Sequence, residues 1–396
     1  MNILYVNIGF MPANTWGGPA KVVYQNGMEL TRRGHHVTVC ASNLMNKKTR
    51  IGPGSFKRQI DGLRVFYLNT WVIPFWPGTV GPSLVSPGGS GMLKHAVQEA
   101  DIVHVNGIRN MLSMQAIRFA SRLAKPLVIQ AHGTAQRIVS STHLKWVYDS
   151  IFMKRILNEA DALIALQEKE VEQIVAAGGN PDSIHIVPNG IDSSNCGGQS
   201  YGERFRMFYG IPANRRIILF LGRINLKKGV DLLVEAFARI PVDERRTFQL
   251  VIAGPDDGHL HEVQSLIARH QLEDQVLYTG FLAGGAVWDA LASADLFVLP
   301  CRTDTFPMAL LEACCSGTPI LVTNTCEIAD ILSGKAALSV PLDVDAIAVG
   351  MRRILADEEL QARLARGARQ LMLTKFSIQT VGDKLEAIYF RLAETS

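Results

Sequence analysis

Residues 222–230, GRINLKKGV, place Arg223 and Lys228 around the point where an apolar run, RIILFLGR (216–223), gives way to a helical pattern. Two cations beside a helix N-terminus form a site for a phosphate, ideally a diphosphate; the plain alternative is a solvated basic loop. A second segment, PCRTDTFPMALLEACCSGTP (300–319), sets Asp304 and Glu312 eight residues apart. Proline suits a first helical turn, so Pro307 puts Asp304 on a loop and Glu312 one to two turns inside the helix. The N–H groups of Met308, Ala309 and Leu310 would then point at an anion. A carboxylate flanked by Leu311 and Ala313 asks for a partner such as sugar hydroxyls, unless Asp304 is only a cap and Glu312 only an ion-pair member. In the first half, Gly17-Gly18 closes a loop and opens a helix, where glycines let a ligand approach backbone N–H groups. His132, in QAHGT (130–134), ends a strand on the side where ligands bind such folds. A lone strand-end histidine is more often structural, but the following glycine favours function.

Short apolar runs alternating with amphipathic stretches position these residues. The runs ILYVNI (3–8), HVTVCA (36–41), IVHVNG (102–107), LVIQAH (127–132), ALIALQ (162–167) and IHIVPNG (184–190) read as strands. Helices are expected at 20–34, 111–124, 142–159 and 168–177. A polar, Gly-rich stretch, DSSNCGGQSYG (192–202), reads as a linker. The rhythm restarts with strands at 216–223, 248–255, 276–281, 296–300 and 319–323 and helices at 228–240, 259–270, 284–293 and 307–316. Strands apolar on both faces and separated by helices argue for parallel sheets covered by helices. The expectation is an α/β chain of two doubly wound, Rossmann-like domains, 1–192 and 193–375. A last amphipathic helix at about 376–396 is expected to pack back on the first domain. Two such sheets in tandem place a ligand crevice between their strand carboxyl ends.

The chain has 396 residues, 47% of them apolar and 19% charged, which excludes a disordered, collagen-like or disulfide-stapled chain. No apolar run reaches the roughly 18 residues of a membrane span, and MNILYVNIGF lacks the basic start of a signal peptide. Six cysteines (Cys40, Cys196, Cys301, Cys314, Cys315 and Cys326) show neither CxxC pairs nor zinc-ligand spacing, and read as free thiols of a cytoplasmic protein. There is no histidine cluster to hold a metal, and no GxGxxG fingerprint, which disfavours a dinucleotide dehydrogenase. Residues 1–192 carry 19 basic and 12 acidic side chains, a net +7, against −3 for the remainder. That asymmetry points to an anionic partner, a phosphorylated substrate or a lipid surface. Without a basic stripe interleaved with aromatics, nucleic acid is not expected.

Taken in order, the Gly17-Gly18 loop, His132, VPNGID (187–192), GR…KKG (222–229), VLYTGF (276–281) and ADLFVLP…EACCSGTPI (294–320) resemble the retaining glycosyltransferases of family 4, over nearly the whole chain. The resemblance implies the GT-B fold, with the two sheets facing a central cleft. It implies that Arg223 and Lys228 hold the donor diphosphate, that Glu312 bonds the nucleoside ribose and that Asp304 touches the donor sugar. The segment around Thr279, Gly280 and Phe281 would lie near the nucleobase, and Phe306 within the donor site. Gly17 and Gly18 would border the donor. His132 would position the donor sugar. Two positions depart from the family's pattern. Asp304 stands where a longer glutamate is usual, and Pro307 stands where glycine is usual and removes one backbone donor. The implied activity is a metal-independent, nucleotide-sugar-dependent hexosyltransferase with no cofactor. Its acceptor would be a sugar or lipid-linked sugar in cell-surface polysaccharide, lipopolysaccharide or glycolipid synthesis. The rivals are a nucleotide-sugar-binding protein without catalysis and a GT-B epimerase.

A membrane contact is a further expectation. HLKWVYDSIFMKRIL (143–157) sets Leu144, Val147, Ile151 and Ile156 near one helical face, with Trp146, Lys145, Lys154 and Arg155 around it. Lys47, Lys48, Arg50, Lys57 and Arg58 add charge. Trp71, Phe75 and Trp76 lie in a long Pro- and Gly-rich segment, 71–91. Such a surface could rest on an anionic leaflet, unless helix 143–157 only packs its apolar face on the sheet.

Overall fold

The computed structural model describes residues 1–13, 17–46, 49–72, 83–134, 153–195 and 200–394. The chain divides into two compact units. One runs to Gly190 and takes in the C-terminal segment from Ile378; the other is Ile191–Ser377.

Among the described residues, the first unit is built on an eight-stranded sheet in the order β10-β9-β8-β7-β1-β2-β4-β3. The strands are β1 (Asn2–Asn7), β2 (His36–Ser42), β3 (Phe56–Ile60), β4 (Leu63–Leu68), β7 (Ile102–Asn106), β8 (Leu127–Gln130), β9 (Ala162–Ala165) and β10 (Ile184–Ile186). A separate ribbon pairs β5 (Thr70–Val72) with β6 (Ser83–Val85). All of the large sheet is parallel except β3, which pairs antiparallel with β4. That hairpin is not among the elements expected from the sequence. Its turn is Asp61-Gly62, both at positive φ (49° and 88°), the conformation a two-residue hairpin loop of matching twist demands. Ile3, Leu4, Tyr5 and Val6 of β1 are all buried, so both faces of the central strand are covered, as a parallel sheet requires.

The C-terminal helix Ile378–Glu394 belongs to this unit. Val381, Leu385, Ile388 and Tyr389 enter the core beside Ile3, Tyr5, Val37 and Val39. Burying each such side chain is worth about 1.5–3 kcal/mol, so apolar contact holds the helix. Polar contacts fix its register. The Tyr389 hydroxyl lies 2.9 Å from that of Tyr5 and 2.6 Å from Nδ1 of His104. Arg33 meets Glu29, Asp383 and Glu386 at 2.6–2.8 Å.

The second unit carries a six-stranded, wholly parallel sheet in the order β13-β12-β11-β14-β15-β16. Its strands are β11 (Arg216–Leu221), β12 (Phe248–Ala253), β13 (Val276–Gly280), β14 (Leu296–Leu299), β15 (Ile320–Thr323) and β16 (Ala337–Val340). The chain winds outward from β11 through β12 to β13, then returns to β14 on the other side of β11. The winding therefore reverses between β11 and β14, and ligands of open α/β sheets bind beyond the strand carboxyl ends at such a reversal. In the first unit the same reversal lies between β1 and β7. The expected linker is shorter than its composition suggests, because a helix begins at Ser200 and runs to Tyr209. A Cβ on Gly202 would lie 2.8 Å from the Ala292 carbonyl oxygen, so this helix packs backbone-close on helix Gly285–Ser293.

Among the described residues, no helix is long and apolar enough to cross a membrane. Most of the expected helix 142–159 lies outside the described residues, as do Lys47, Lys48, Phe75, Trp76, Lys145 and Trp146. The described end of that segment, helix Lys154–Asn158, buries Ile156 and Leu157 and exposes Lys154 and Arg155. Arg50, Lys57, Arg58 and Trp71 are exposed. The reading of six free thiols needs correction. Cys40, Cys301, Cys314 and Cys326 are free and buried, but Cys315 is disulfide-bonded, and Cys196 lies outside the described residues.

Candidate functional site

In the second unit, the loops after β11 and β14 carry the expected residues and are locked together by backbone contacts. The β11–β12 ladder continues past both strands. Gly222 N–H donates to Ala253, Ile224 N–H to Pro255 and Asp257 N–H to Ile224, each at 2.9 Å. Gly254 sits at φ 147°, and a Cβ there would lie 1.8 Å from the Gly222 carbonyl oxygen; only glycine allows this approach. Next comes a short 3-10 turn, Leu226–Lys228, capped by Asn225, whose side-chain oxygen accepts from Lys228 N–H at 3.2 Å. Gly229 then turns left-handed (φ 70°) to start helix Val230–Ala238. A Cβ on Gly229 would lie 1.9 Å from the Pro300 carbonyl oxygen.

Arg302 stitches the two loops. Its N–H donates to the Lys227 carbonyl at 2.7 Å and its guanidinium to the Leu226 carbonyl at 2.8 Å. Its two terminal nitrogens grip both oxygens of Asp231 at 2.8 and 2.5 Å. Burial alone would raise the Asp231 carboxyl, but Arg302 more than offsets it and holds it below the usual carboxylate range. The bidentate pair fixes the geometry of both loops.

On this frame Lys228 Nζ donates to Asp304 Oδ2 in a short ion pair. Arg223 donates to Asp257 Oδ2 at 2.9 Å, and the same oxygen accepts from the side-chain amide of Asn225 at 2.8 Å. Each cation is therefore matched with a carboxylate on a neighbouring loop. Asp304 is further placed by its carbonyl, which accepts from Glu327 N–H at 2.9 Å. The helix after β14 runs Met308–Ser316, with Pro307 just ahead of it in an extended conformation. Glu312 is buried on it, 5% exposed. Gly280 turns at φ 72° at the end of β13, and Phe281 beyond it is half exposed.

Two of the expected donor-site residues have contacts within the protein. The N–H of Leu310 donates to the Pro307 carbonyl at 3.1 Å, because the first turn closes tightly. Met308 and Ala309 are the remaining candidates for an anion. The ring of Phe306 is buried edge-on against Phe376, with centroids 5.7 Å apart.

In the first unit, Gly17 (φ 76°) caps helix Gly18–Arg32, with Pro19 in its first turn. Burial brings the Lys21 amine, one turn in, down to about 8. His132 follows β8 in the left-handed region, φ 50°. Its Nε2 lies 2.8 Å from Asn106 Oδ1 at the end of β7. Burial pushes the imidazole down to about 4, so the ring is neutral at physiological pH. Asp257 and Asn106 are not singled out by the sequence, because their partners Arg223 and His132 lie 34 and 26 residues away; the one local signal is the polar GPDDG following β12.

Among the described residues, no group of three or more His, Cys, Asp and Glu could hold a metal ion.

Comparison with known proteins places these halves. The profile of the family described as Glycosyl transferases group 1 matches residues 203–371, and that of the Glycosyl transferase 4-like domain matches residues 17–190. An uncharacterized glycosyltransferase of Methanocaldococcus jannaschii is 26% identical over 58% of this chain, an alignment that spans 60% of that protein. The D-inositol 3-phosphate glycosyltransferase of Saccharomonospora viridis is 28% identical over 94% of this chain and 89% of its own length. Among solved structures, HepE of Anabaena, in complex with UDP and glucose, superposes with a TM-score of 0.74 over 98% of both chains at 17% identity. At that identity the likeness is one of fold: two parallel-sheet, Rossmann-like halves of the GT-B type.

Proposed function

Because the chain belongs to the group 1 glycosyltransferases with the GT-B fold, we propose that it moves a sugar from a nucleoside-diphosphate sugar to an acceptor hydroxyl with retained anomeric configuration. The observation that carries this reading is the joined pair of loops at the β11/β14 reversal. It sets Arg223, Lys228 and the first turn of helix Met308–Ser316 on one frame. The HepE complexes with UDP and with UDP-glucose support a nucleotide-sugar donor.

In the reaction, the bond between the anomeric carbon and the diphosphate oxygen breaks, and the acceptor oxygen bonds to that carbon on the same face. The acceptor's proton passes to the departing phosphate oxygen, so no protein nucleophile is needed. Negative charge grows on the diphosphate, and Arg223, Lys228 and the N–H groups of Met308 and Ala309 are assigned to stabilise it. Side chains and backbone thus take the role a metal plays elsewhere. Asp257 and Asp304, which hold the two cations now, yield part of that contact when the diphosphate arrives. Asp304 is then assigned to the donor sugar, Glu312 to the ribose, the Gly280–Phe281 turn to the nucleobase, Gly17 and Gly18 to the donor's border and His132 to the transferring sugar.

We assign the acceptor to a sugar or lipid-linked sugar of cell-surface polysaccharide, lipopolysaccharide or glycolipid synthesis, with the protein in the cytoplasm or peripheral on the membrane's cytoplasmic face. The basic first half and the exposed Arg50, Lys57, Arg58 and Trp71 support an anionic surface. Binding to anionic vesicles at low salt, lost at high salt, is the expected co-sedimentation result. Failure to bind at low salt would direct the acceptor search to soluble sugars.

The test of the whole reading is incubation with a panel of nucleotide sugars and candidate acceptors, with EDTA throughout, followed by assay of freed nucleoside diphosphate and NMR of the product's anomeric centre. Turnover with retention is expected. An inverted product, or activity only on adding magnesium or manganese, contradicts it. Glu312→Gln should weaken nucleoside diphosphate binding by about 10-fold, since a charge-assisted hydrogen bond contributes roughly 1.5–3 kcal/mol. Calorimetric titration checks this, and unchanged affinity would remove Glu312 from the ribose.

A further inference from the structure

We propose that Asn106 is a positioning residue that holds His132 as its Nε2–H tautomer, leaving Nδ1 to accept a hydrogen bond from a sugar hydroxyl. The proposal rests on the assignment of His132 to the transferring sugar.

His132 stands just past β8 in a backbone conformation that a side chain with a Cβ rarely adopts, φ 50°. Such strain costs about 1–3 kcal/mol and persists only where surrounding contacts over-determine it. Here they come from behind. Glu170, fully buried on helix Glu168–Ala176, accepts from Gly133 N–H at 2.5 Å and from Leu166 N–H at 2.7 Å. It ties the turn after β8 to the end of β9. Thr134 N–H closes the turn on the Ala131 carbonyl at 3.0 Å. The backbone of His132 is thereby set, and only the ring remains to be oriented.

Asn106 orients it. The residue ends β7, lies opposite Gln130 of β8 and is 1% exposed. Its Oδ1 sits 2.8 Å from His132 Nε2. A neutral imidazole carries one N–H donor and one acceptor. An amide oxygen beside Nε2 puts the proton there and the lone pair on Nδ1. Among the described residues no protein donor is recorded for Nδ1. The neighbouring His104 is itself held neutral by burial, down to about 3, so no second imidazolium competes. A neutral ring with Nδ1 unengaged takes a hydroxyl as donor.

The test uses the full chain labelled with 15N-histidine. Long-range 15N–1H correlation reads the protonation of each ring nitrogen, and loss of one set of signals in His132→Gln identifies His132. Pyrrole-type Nε2 with pyridine-type Nδ1 at neutral pH is expected. The reverse pattern, which arises if the Asn106 amide nitrogen faces the ring, or a doubly protonated ring, overturns the proposal. Asn106→Leu removes the acceptor and should lower kcat about 10²-fold, as a misplaced catalytic contact does, with affinity for the nucleoside diphosphate unchanged. Asn106→Asp keeps an acceptor and, at mildly alkaline pH, should restore the Nε2–H pattern and most of the turnover. A Leu variant as fast as wild type, or an Asp variant no faster than a folded Leu variant, overturns it. If the wild type turns over no nucleotide sugar, the transferase reading fails, and the spectrum alone decides the tautomer.

Discussion

Lys228→Ala should lower kcat by about 10²–10³-fold with donor saturating, because removing one charge-stabilising donor in a preorganised site costs about 2.7–4 kcal/mol. The ammonium is a point charge held by Asp304 and by the Asn225-capped turn, and its contact with the diphosphate strengthens as the leaving group gains charge. Stability should change little. The pair is partly exposed, with side chains at 16% and 22%, and partly exposed ion pairs contribute at most about 1 kcal/mol. Truncating the lysine also strands the Asp304 carboxylate beside the diphosphate. The double variant Lys228→Ala/Asp304→Asn should therefore bind nucleoside diphosphate better than the single variant, without regaining its turnover. Steady-state kinetics beside thermal unfolding separate the two effects. Near wild-type kcat in the single variant would remove Lys228 from the diphosphate.

Gly229→Ala should be strongly damaging for a single added methyl in the second unit. The new Cβ would lie 1.9 Å from the Pro300 carbonyl oxygen, over an ångström inside ordinary contact, and φ is 70°. Strain in the left-handed region and a backbone clash together cost about 3 kcal/mol or more, a drop in Tm of about 6–12 °C for a unit of this size. Relief can come only by parting the Lys228 loop from the Asp304 loop, so turnover should fall with stability. Gly210→Ala is the control. It has similar φ, 64°, but nothing within 4 Å of the added methyl, so it should cost about 1–2 kcal/mol from backbone strain alone. Equal Tm losses in the two variants would show that the close approach to Pro300 does not matter.

The alternating apolar strands were legible because a parallel sheet buries both faces, which leaves unbroken runs such as RIILFL and FQLVIA. The β3–β4 hairpin was overlooked although IDGL carries an Asp-Gly turn, since FKRQI exposes Lys57, Arg58 and Gln59 and resembles a basic loop. The cations and carboxylates of the site stood out as charges at strand ends. Their pairing did not. Nothing in the chain announces that Asp257 reaches Arg223, 34 residues away, or that Lys228 reaches Asp304, 76 residues away. The internal contacts of Leu310 and Phe306 are hidden for a related reason. Both sit in the right segment, but a tight first turn consumes one N–H and core packing consumes the other ring. Asn106 was hidden in IVHVNG, where an asparagine closing a strand looks like an ordinary turn residue.

The joined loops at the β11/β14 reversal are assigned to bind a nucleoside diphosphate through Arg223 and Lys228. Calorimetric titration of the full chain with UDP, ADP and GDP, in EDTA, tests that assignment most directly. One-to-one binding of at least one of the three is expected, weakened at least 10-fold in both Arg223→Ala and Lys228→Ala, as loss of a charge-assisted contact entails. Binding to none of them, or binding that both variants leave intact, would contradict it.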